Sequence, residues 1–152
     1  MPGRFGKMTI RMLAAAFALW LGSAIALAES AEQSIRKLLM DTFDKPGAPL
    51  VVDPVVAAND YAIADWIQDG HGGRALLKRR DGKWSLILCS GDGITSAAAL
   101  QQAGVPASDA ADLAERLQTA ESTISPVKRT MLSTFEGTVV MGGNPHEDRE
   151  HP

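Results

Sequence analysis

The spacing of hydrophobic residues changes along the chain, and each change predicts a different kind of element. Between residues 30 and 44 the apolar side chains recur at helical spacing and share one face: Ile35, Leu38, Leu39 and Phe43. Ser30 and Gln33 have the spacing of a capping box at the start of this segment. Pro46-Gly47 is typical of a helix end. We therefore expect an amphipathic helix here.

From residue 49 to residue 90 the period is close to two, which predicts β-strands. Asp53-Pro54 interrupts the first β-branched run and indicates an edge strand or a break. Short turns are expected at Asn59-Asp60, at Asp81-Gly82 and in a glycine-rich loop over residues 69–73. Because parallel crossovers need a dozen or more residues, these connections predict a four-stranded antiparallel meander. In its last strand, alternation places Trp84, Leu86 and Leu88 on one face and Ser85, Ile87 and Cys89 on the other.

After Gly91-Asp92-Gly93 the pattern is helical again. Thr95 is expected to cap a helix over residues 96–103, Ser108 a second one, and Ser125-Pro126 a third that ends near Thr134. Residues 135–141 predict a further short strand. The fold class is therefore α+β: an N-terminal helix, the meander sheet, and C-terminal helices packed on one sheet face. A cystatin-like arrangement, with a helix against a curved sheet, is the nearest architecture.

The first 28 residues have the order of a secretory signal peptide. Arg4, Lys7 and Arg11 precede an uncharged run over residues 13–28, which ends in Ala-Leu-Ala. The run has 16 residues, fewer than the roughly 20 of a spanning helix. We expect cleavage before Glu29, export to the periplasm and no membrane attachment afterwards. The predicted organisation is a signal peptide (1–28), one α+β domain (29–141) and a flexible tail (142–152).

Removal of the signal peptide makes the chain more acidic. It takes away three of the 15 basic residues and none of the 18 acidic ones, so the mature net charge is −6. An acidic surface repels phosphate backbones, which argues against nucleic acid as a partner and is compatible with cations. The chain has a single cysteine, which excludes an intramolecular disulfide and a CxxC pair.

The C-terminal tail holds the residues best suited to a metal ion. His146 and His151 offer imidazole nitrogens, Glu147 and Asp148 offer carboxylate oxygens, and Met141 offers a thioether just upstream. Imidazole suits copper, nickel and zinc, the mixed nitrogen and oxygen set suits Cu(II), and a thioether suits Cu(I). The alternative is a solvated charged terminus without a ligand.

Two other residues have more than one interpretation. Cys89 stands at the end of an apolar strand, where it is either a small buried hydrophobe or a reactive thiol. His71 lies alone among glycines and is expected to be exposed. The chain has no GxSxG, HExxH or Ser-His-Asp pattern, so we expect a protein that is not an enzyme.

Several segments resemble the bacterial periplasmic copper uptake system-associated proteins. They are residues 52–56, 61–66, 72–77, 84, 88–92, 103–106 and 135–139. These segments are core and turn sequence, and the similarity extends from the first helix to Met141. Members of that family have C-terminal ends that bear histidines, and the tail described above is similar with two.

The resemblance implies an accessory protein of copper uptake that binds a copper ion or a copper transport or chaperone protein. Two alternatives stay open from the residues alone. One is an exported protein-interaction module without metal, which would use the sheet face. The other is a thiol-dependent enzyme or redox protein that uses Cys89.

Overall fold

The computed structural model describes residues 21–141, with side chains from residue 31 onward. The described part contains four α-helices and one five-stranded sheet. In chain order its elements are α1 (Leu21–Phe43), β1 (Val51–Ala58), β2 (Tyr61–Gln68), β3 (His71–Arg80), β4 (Lys83–Ser90), a 3-10 turn (Asp92–Ile94), α2 (Ala97–Gln102), α3 (Ala107–Glu121), α4 (Pro126–Leu132) and β5 (Thr138–Val140).

The sheet is an antiparallel meander, which confirms the predicted α+β class. Its strands lie in the order β1-β2-β3-β4-β5, and every neighbouring pair is antiparallel. Two-residue turns connect each of the strands β1, β2 and β3 to the next strand. The first residue of each turn has a positive φ: Asn59, Asp69 and Asp81. Asn and Asp tolerate this conformation better than other non-glycine residues. The short strand predicted over residues 135–141 is β5, so the sheet has five strands rather than four.

The sheet is covered on both faces. On one face Ile35 and Leu39 of α1 pack against Val55, Ala62 and Leu77. On the other face α2 and α3 pack against a different row, with the core formed by Ile63, Leu76, Leu88, Leu100, Leu113 and Leu117. The helix-on-sheet arrangement was expected for each group separately. The structure adds that the N-terminal and C-terminal helices cover opposite faces, so the domain has three layers.

A β-bulge in β4 makes one sequence expectation wrong. Leu76 pairs with Leu88 but Leu77 pairs with Leu86, which leaves Ile87 as an extra residue. The bulge reverses the alternation of side chains beyond it. Leu86 therefore packs with α1, whereas Leu88 packs with α2 and α3. Cys89 consequently lies on the same face as Trp84 and Leu86, whereas the alternation predicted it on the opposite face.

The glycine-rich loop expected over residues 69–73 is shorter than predicted. Only Asp69 and Gly70 form the turn, and Gly72 and Gly73 are buried inside β3. A Cβ atom on Gly73 would lie 2.9 Å from Phe135 Cβ and 3.0 Å from Trp66 Cζ2. Glycine is required there because two aromatic side chains approach the strand backbone.

At the sheet's other end β1 is an edge strand, and its register shifts between Val52 and Val55, as Asp53-Pro54 predicted.

The helix starts were predicted with mixed success. Ser125 caps α4, and its Oγ accepts a hydrogen bond from Lys128 N at 3.2 Å. Ser96, not Thr95, caps α2, and Pro106, not Ser108, precedes α3. Helix α1 already includes Leu21, the first described residue, so it extends into the segment assigned to the signal peptide and Ser30 does not cap its start. Among the described helices, none combines the length and the apolar character needed to cross a membrane.

Candidate functional site

The structure places one of the five predicted metal ligands. His146, Glu147, Asp148 and His151 lie outside the described residues, whereas Met141 is the last residue described. Within residues 21–141, no three His, Cys, Asp or Glu side chains come together in a way that could hold a metal ion.

Met141 reaches an apolar pocket that Cys89 also lines. Backbone pairing brings it there, because Cys89 pairs with Val139 and Met141 N donates a hydrogen bond to Ile87 O at 2.7 Å. Both sulfur-bearing side chains line the same pocket. Sequence reasoning weighed these residues separately, since only the pairing of β5 with β4 brings them together.

The pocket lies between α1 and the sheet and has a volume of about 280 Å³. We call it the α1 pocket. Leu39 and Phe43 contribute from α1, Ala75 and Cys89 from the centre of the sheet, and Val139 and Met141 from its edge. Part of its wall is an edge-to-face pair of Trp66 and Phe135, with ring centroids 5.6 Å apart. The walls are apolar because this face of the sheet carries the side chains that pack against α1.

Two residues that line the α1 pocket, Trp66 and Gln68, have polar atoms in their side chains. Gln68 Nε2 donates hydrogen bonds to Phe43 O at 2.8 Å and to Ala48 O at 2.9 Å, so its two N–H groups are occupied. Trp66 Nε1 is buried and has no hydrogen-bond acceptor among the described residues. Because Nε1 has essentially no accessible surface, the indole N–H does not face the space inside the pocket.

Cys89 is buried, as its position in an apolar strand predicted. Cys89 is 9% exposed, and burial raises the pKa of its thiol to about 11. At neutral pH the thiol is therefore protonated, and the protonated form is a poor nucleophile. This geometry gives no support to the thiol-dependent alternative.

A second group of residues, which sequence reasoning missed, lies on the opposite face of the sheet. Arg74 on β3 is 2% exposed. Its Nε and Nη2 donate to the two carboxylate oxygens of Glu121 at 2.6 and 3.0 Å, and its Nη1 donates to Gly91 O and Asp92 Oδ1, both at 3.0 Å. One guanidinium thus ties β3 to α3 and to the turn that follows β4. We call Arg74, Asp65, Asp92 and Glu121 the Arg74 cluster.

Asp65 is the unsatisfied member of the Arg74 cluster. It is fully buried on β2 beside Arg74, and neither carboxyl oxygen has a hydrogen-bond partner among the described residues. Arg74 Nε lies 3.9 Å from Asp65 Oδ1 but donates its hydrogen to Glu121. Burial, together with the nearby Glu121 carboxylate, raises the pKa of Asp65 to about 7 despite the attraction of Arg74.

A signal for the Arg74 cluster was present in the sequence. Alternation along β2 puts Asp65 on the same strand face as Tyr61 and Ile63, and all three are buried in the structure. A charged residue on such a face needs a partner. The partner could not be identified from the sequence, because Glu121 lies 47 positions beyond Arg74 and reaches it only through the packing of α3.

Comparison with known proteins adds no family to this picture. No protein-family model matches the chain, and no curated protein or solved structure matches it either. Functional proposals therefore depend on the residues and geometry described above, together with the sequence resemblance.

Proposed function

We propose that the chain is a non-enzymatic periplasmic accessory protein of copper uptake, which binds copper at the C-terminal end of the domain. The observation that carries the proposal is that Met141 lines the α1 pocket of the folded domain, at the point where the histidine-bearing tail begins. A soft sulfur donor on the folded domain and imidazole donors in the tail are then available to one ion.

The chain length between these donors permits this arrangement. His146 follows Met141 by five positions. An extended segment of that length spans at most about 17 Å, and a bent one brings the imidazole back to the thioether. Glu147, Asp148 and His151 follow directly and complete a nitrogen and oxygen set. Copper in its two oxidation states favours different members of this set, with Cu(I) nearer the thioether and Cu(II) nearer the tail.

Copper titration of the mature chain, residues 29–152, tests the proposal. The variant His146→Ala/His151→Ala should lose most Cu(II) binding, and Met141→Leu should weaken Cu(I) binding while it leaves Cu(II) binding nearly unchanged. The matched control is His71→Ala. This is the third histidine of the chain; it is exposed at the start of β3, and its Nδ1 lies 2.9 Å from Asp69 O.

Because an imidazole must be neutral to ligate, Cu(II) affinity should fall as the pH decreases through about 6.5. Equal Cu(II) affinity in the double variant and in the wild-type chain would contradict a tail site. A loss of Cu(II) binding in the control variant His71→Ala would also contradict a tail site.

A second candidate function is a protein-interaction module, and the open edge of the sheet favours it. Helices cover both faces of the sheet, so the sheet face that the sequence suggested as a binding surface is not free. The β4–β5 edge is available for strand pairing. There β5 pairs only with residues 88–90, and Val139 and Val140 are 47% and 67% exposed. An edge of this kind can pair with an extended strand from another chain.

We take a second copy of the chain as the occupant to test, because the same edge is present in every copy. Sedimentation should show a dimer that Val140→Lys dissociates. Val127→Lys is the control, since Val127 on α4 is equally exposed at 66% and lies away from this edge. A monomer at all concentrations would exclude self-pairing.

A further inference from the structure

We propose that the Arg74 cluster is a proton-dependent switch in which Arg74 exchanges one carboxylate partner for another. With a proton on Asp65, Arg74 holds Glu121, as in the structure. Without that proton, Arg74 turns to Asp65, and Glu121 moves outward to Arg129 at the surface. Three features lead to this proposal: the hydrogen bonds of the cluster, the burial of Asp65 and the open space beside Glu121.

The surroundings of Asp65 leave its carboxyl group without a donor. Arg74 donates from Nε and Nη2 to the two oxygens of Glu121, and from Nη1 to Gly91 O and Asp92 Oδ1. Both oxygens of Asp65 are buried and have no hydrogen-bond partner among the described residues. An ionised carboxylate in this position would lose its hydration without gaining a hydrogen bond, which is strongly unfavourable. A proton on Asp65 removes this penalty.

The proton on Asp65 has an acceptor in Glu121. Both carboxyl groups lie close to the same nitrogen, Arg74 Nε, which is 2.6 Å from Glu121 Oε1 and 3.9 Å from Asp65 Oδ1. The two side chains are near enough for a hydrogen bond once one of them carries a proton. That proton belongs to Asp65, because both oxygens of Glu121 already accept hydrogen bonds from Arg74. Two adjacent acids that share one proton behave in this way.

The elements packed around Asp65 contribute three further charged side chains besides Arg129: Asp53 on β1, Asp92 in the turn after β4 and Lys128 on α4. The ammonium group of Lys128 lies 3.2 Å from Asp53 Oδ2, so its attraction for Asp65 is shared. Among the described residues, Arg74 is the one cation within 4 Å of an Asp65 oxygen. Arg74 is therefore the partner that an ionised Asp65 would take.

Loss of the proton leaves two carboxylates for one buried cation, and Glu121 is the one that is able to move. Asp65 is held on the central strand β2 and is fully buried. Glu121 is the last residue of α3, its side chain is 13% exposed, and it lines an open cleft together with Arg129. Arg129 is exposed, and its Nη2 already donates to Glu121 O at 2.7 Å. Rotation of the Glu121 side chain therefore exchanges Arg74 for Arg129.

Charge balances in both states of the switch. The proton of Asp65 leaves to water through the cleft, and the buried site keeps one cation and one carboxylate throughout. The second ion pair forms at the surface, where water also solvates it. Because burial and the charge of Glu121 raise the pKa of Asp65 to about 7, the exchange falls in the neutral range. The end of α3 then loses its tie to β3 as the pH rises.

Nuclear magnetic resonance of the copper-free mature chain tests the exchange. The Nε–H resonance of Arg74 reports which carboxylate accepts its hydrogen bond, and it should shift between pH 5 and 8 with the same midpoint as the carboxyl carbon of Asp65. Asp65→Asn should abolish this shift, because the amide does not titrate and its N–H is able to donate to Glu121. The matched control Asp92→Asn should retain it, since the Asp92 side chain is 67% exposed at the rim of the cluster.

Two further variants separate the two positions of Glu121. Glu121→Gln removes the competing anion, so the midpoint for Asp65 should fall by about one pH unit or more. Arg129→Met removes the outer partner, so the midpoint should rise. Arg116→Met is its control, because Arg116 is an exposed arginine on α3 that pairs with Asp112.

Hydrogen exchange shows whether the opening is local. The amides of residues 122–124 donate to carbonyl groups at the end of α3. After correction for the intrinsic effect of pH, their protection should fall above the transition, whereas that of residues 111–115 in the same helix should not. An equal fall throughout the domain would indicate global unfolding and would contradict a switch.

Three other results would overturn the proposal. They are a carboxyl carbon of Asp65 that is already ionised at pH 5, an Arg74 resonance that does not shift in the wild-type chain or still shifts in Asp65→Asn, and equal midpoints in Arg129→Met and Arg116→Met. If a variant does not fold, the wild-type titration still decides between the two states. None of these measurements involves copper or its proposed ligands, so their outcome is independent of the copper proposal.

Discussion

Arg74 joins β3 to α3 and to the turn after β4. It holds the Glu121 carboxylate through two hydrogen bonds and also reaches the turn after β4, while it is almost fully buried. A buried ion pair of this kind adds little net stability relative to apolar residues, but removal of one partner leaves an uncompensated charge. Loss of Arg74 would leave two carboxyl groups, Asp65 and Glu121, without their cation.

We therefore expect Arg74→Met to lower the free energy of unfolding by about 3–5 kcal/mol at neutral pH. The control is Arg79→Met, because Arg79 pairs with Asp60 on the surface and that pair contributes at most about 1 kcal/mol. Urea unfolding of the two variants measures the difference. Similar losses in both variants would show that the Arg74 cluster is not a buried ionic network in solution.

Asp65 predicts an unusual dependence of stability on pH. Its pKa is about 7 in the folded chain, above the ordinary value of 3.8 that applies after unfolding. Between these pH values the folded state binds more protons, so the contribution of Asp65 to stability is complete below about pH 4 and is lost as the pH rises to about 7. The loss is about 1.4 kcal/mol for each tenfold difference in proton affinity between the two states.

Asp65→Asn should remove this part of the pH dependence, because the amide does not titrate. The measurement is the free energy of unfolding in urea at several pH values between 4 and 8. The control Asp41→Asn changes an exposed carboxylate on α1 and should leave the wild-type profile intact. If stability rose with pH in the wild-type chain and this rise disappeared in Asp65→Asn, the raised pKa of Asp65 would be refuted.

At the scale of elements, the local rules explain the turns and the start of α4 better than they explain strand faces. Ser125-Pro126 marks the start of α4 through two independent effects, a side-chain acceptor and a fixed φ. Which residues of β4 share a face depends on the bulge at Ile87, and no pattern of neighbouring residues predicts that bulge. A bulge forms when the pairing of β3 with β4 buries more apolar surface than regular alternation would, and that depends on both strands and on the helices that cover them.

Ser125→Ala should lower the free energy of unfolding by about 1 kcal/mol, because Lys128 N loses its acceptor. Ser34→Ala is a suitable control, since Ser34 is exposed in the middle of α1. Thermal or urea unfolding measures both. A loss of the same size in Ser34→Ala would show that general helix propensity, not capping, is responsible.

At the scale of the whole molecule, the predicted cleavage removes residues 21–28 of α1 but leaves the described core intact. Ile35 and Leu39, the α1 side chains of the core, lie after the expected cleavage before Glu29. At the other end the last described side chain is Met141. The mature domain therefore keeps all three layers.

We expect the mature chain, residues 29–152, to fold, and deletion of residues 142–152 to change its melting temperature by less than about 2 °C. A longer deletion from Thr138 should lower it clearly, because it removes β5 and the hydrogen bond from Thr138 Oγ1 to Ser90 Oγ. Melting curves of the three chains give the answer. A large fall in melting temperature with the shorter deletion would mean that the tail packs on the domain.

Mass spectrometry of the exported protein checks the predicted cleavage, which should leave Glu29 as the first residue.

The sequence by itself determined the α+β class, the antiparallel meander, the hairpin turns at Asn59-Asp60 and Asp81-Gly82, and the start of α4. These features depend on residues close together in the chain, where spacing and turn chemistry act directly. Only the tertiary structure decided which helices cover which face, that Leu86 and Leu88 point to opposite sides, and that Cys89 and Met141 share a pocket. It also decided that Glu121 takes the hydrogen bonds of Arg74 and leaves Asp65 without one. Each of these features joins residues far apart in sequence, and packing between layers selects them because it is there that apolar surface and charge are removed from water.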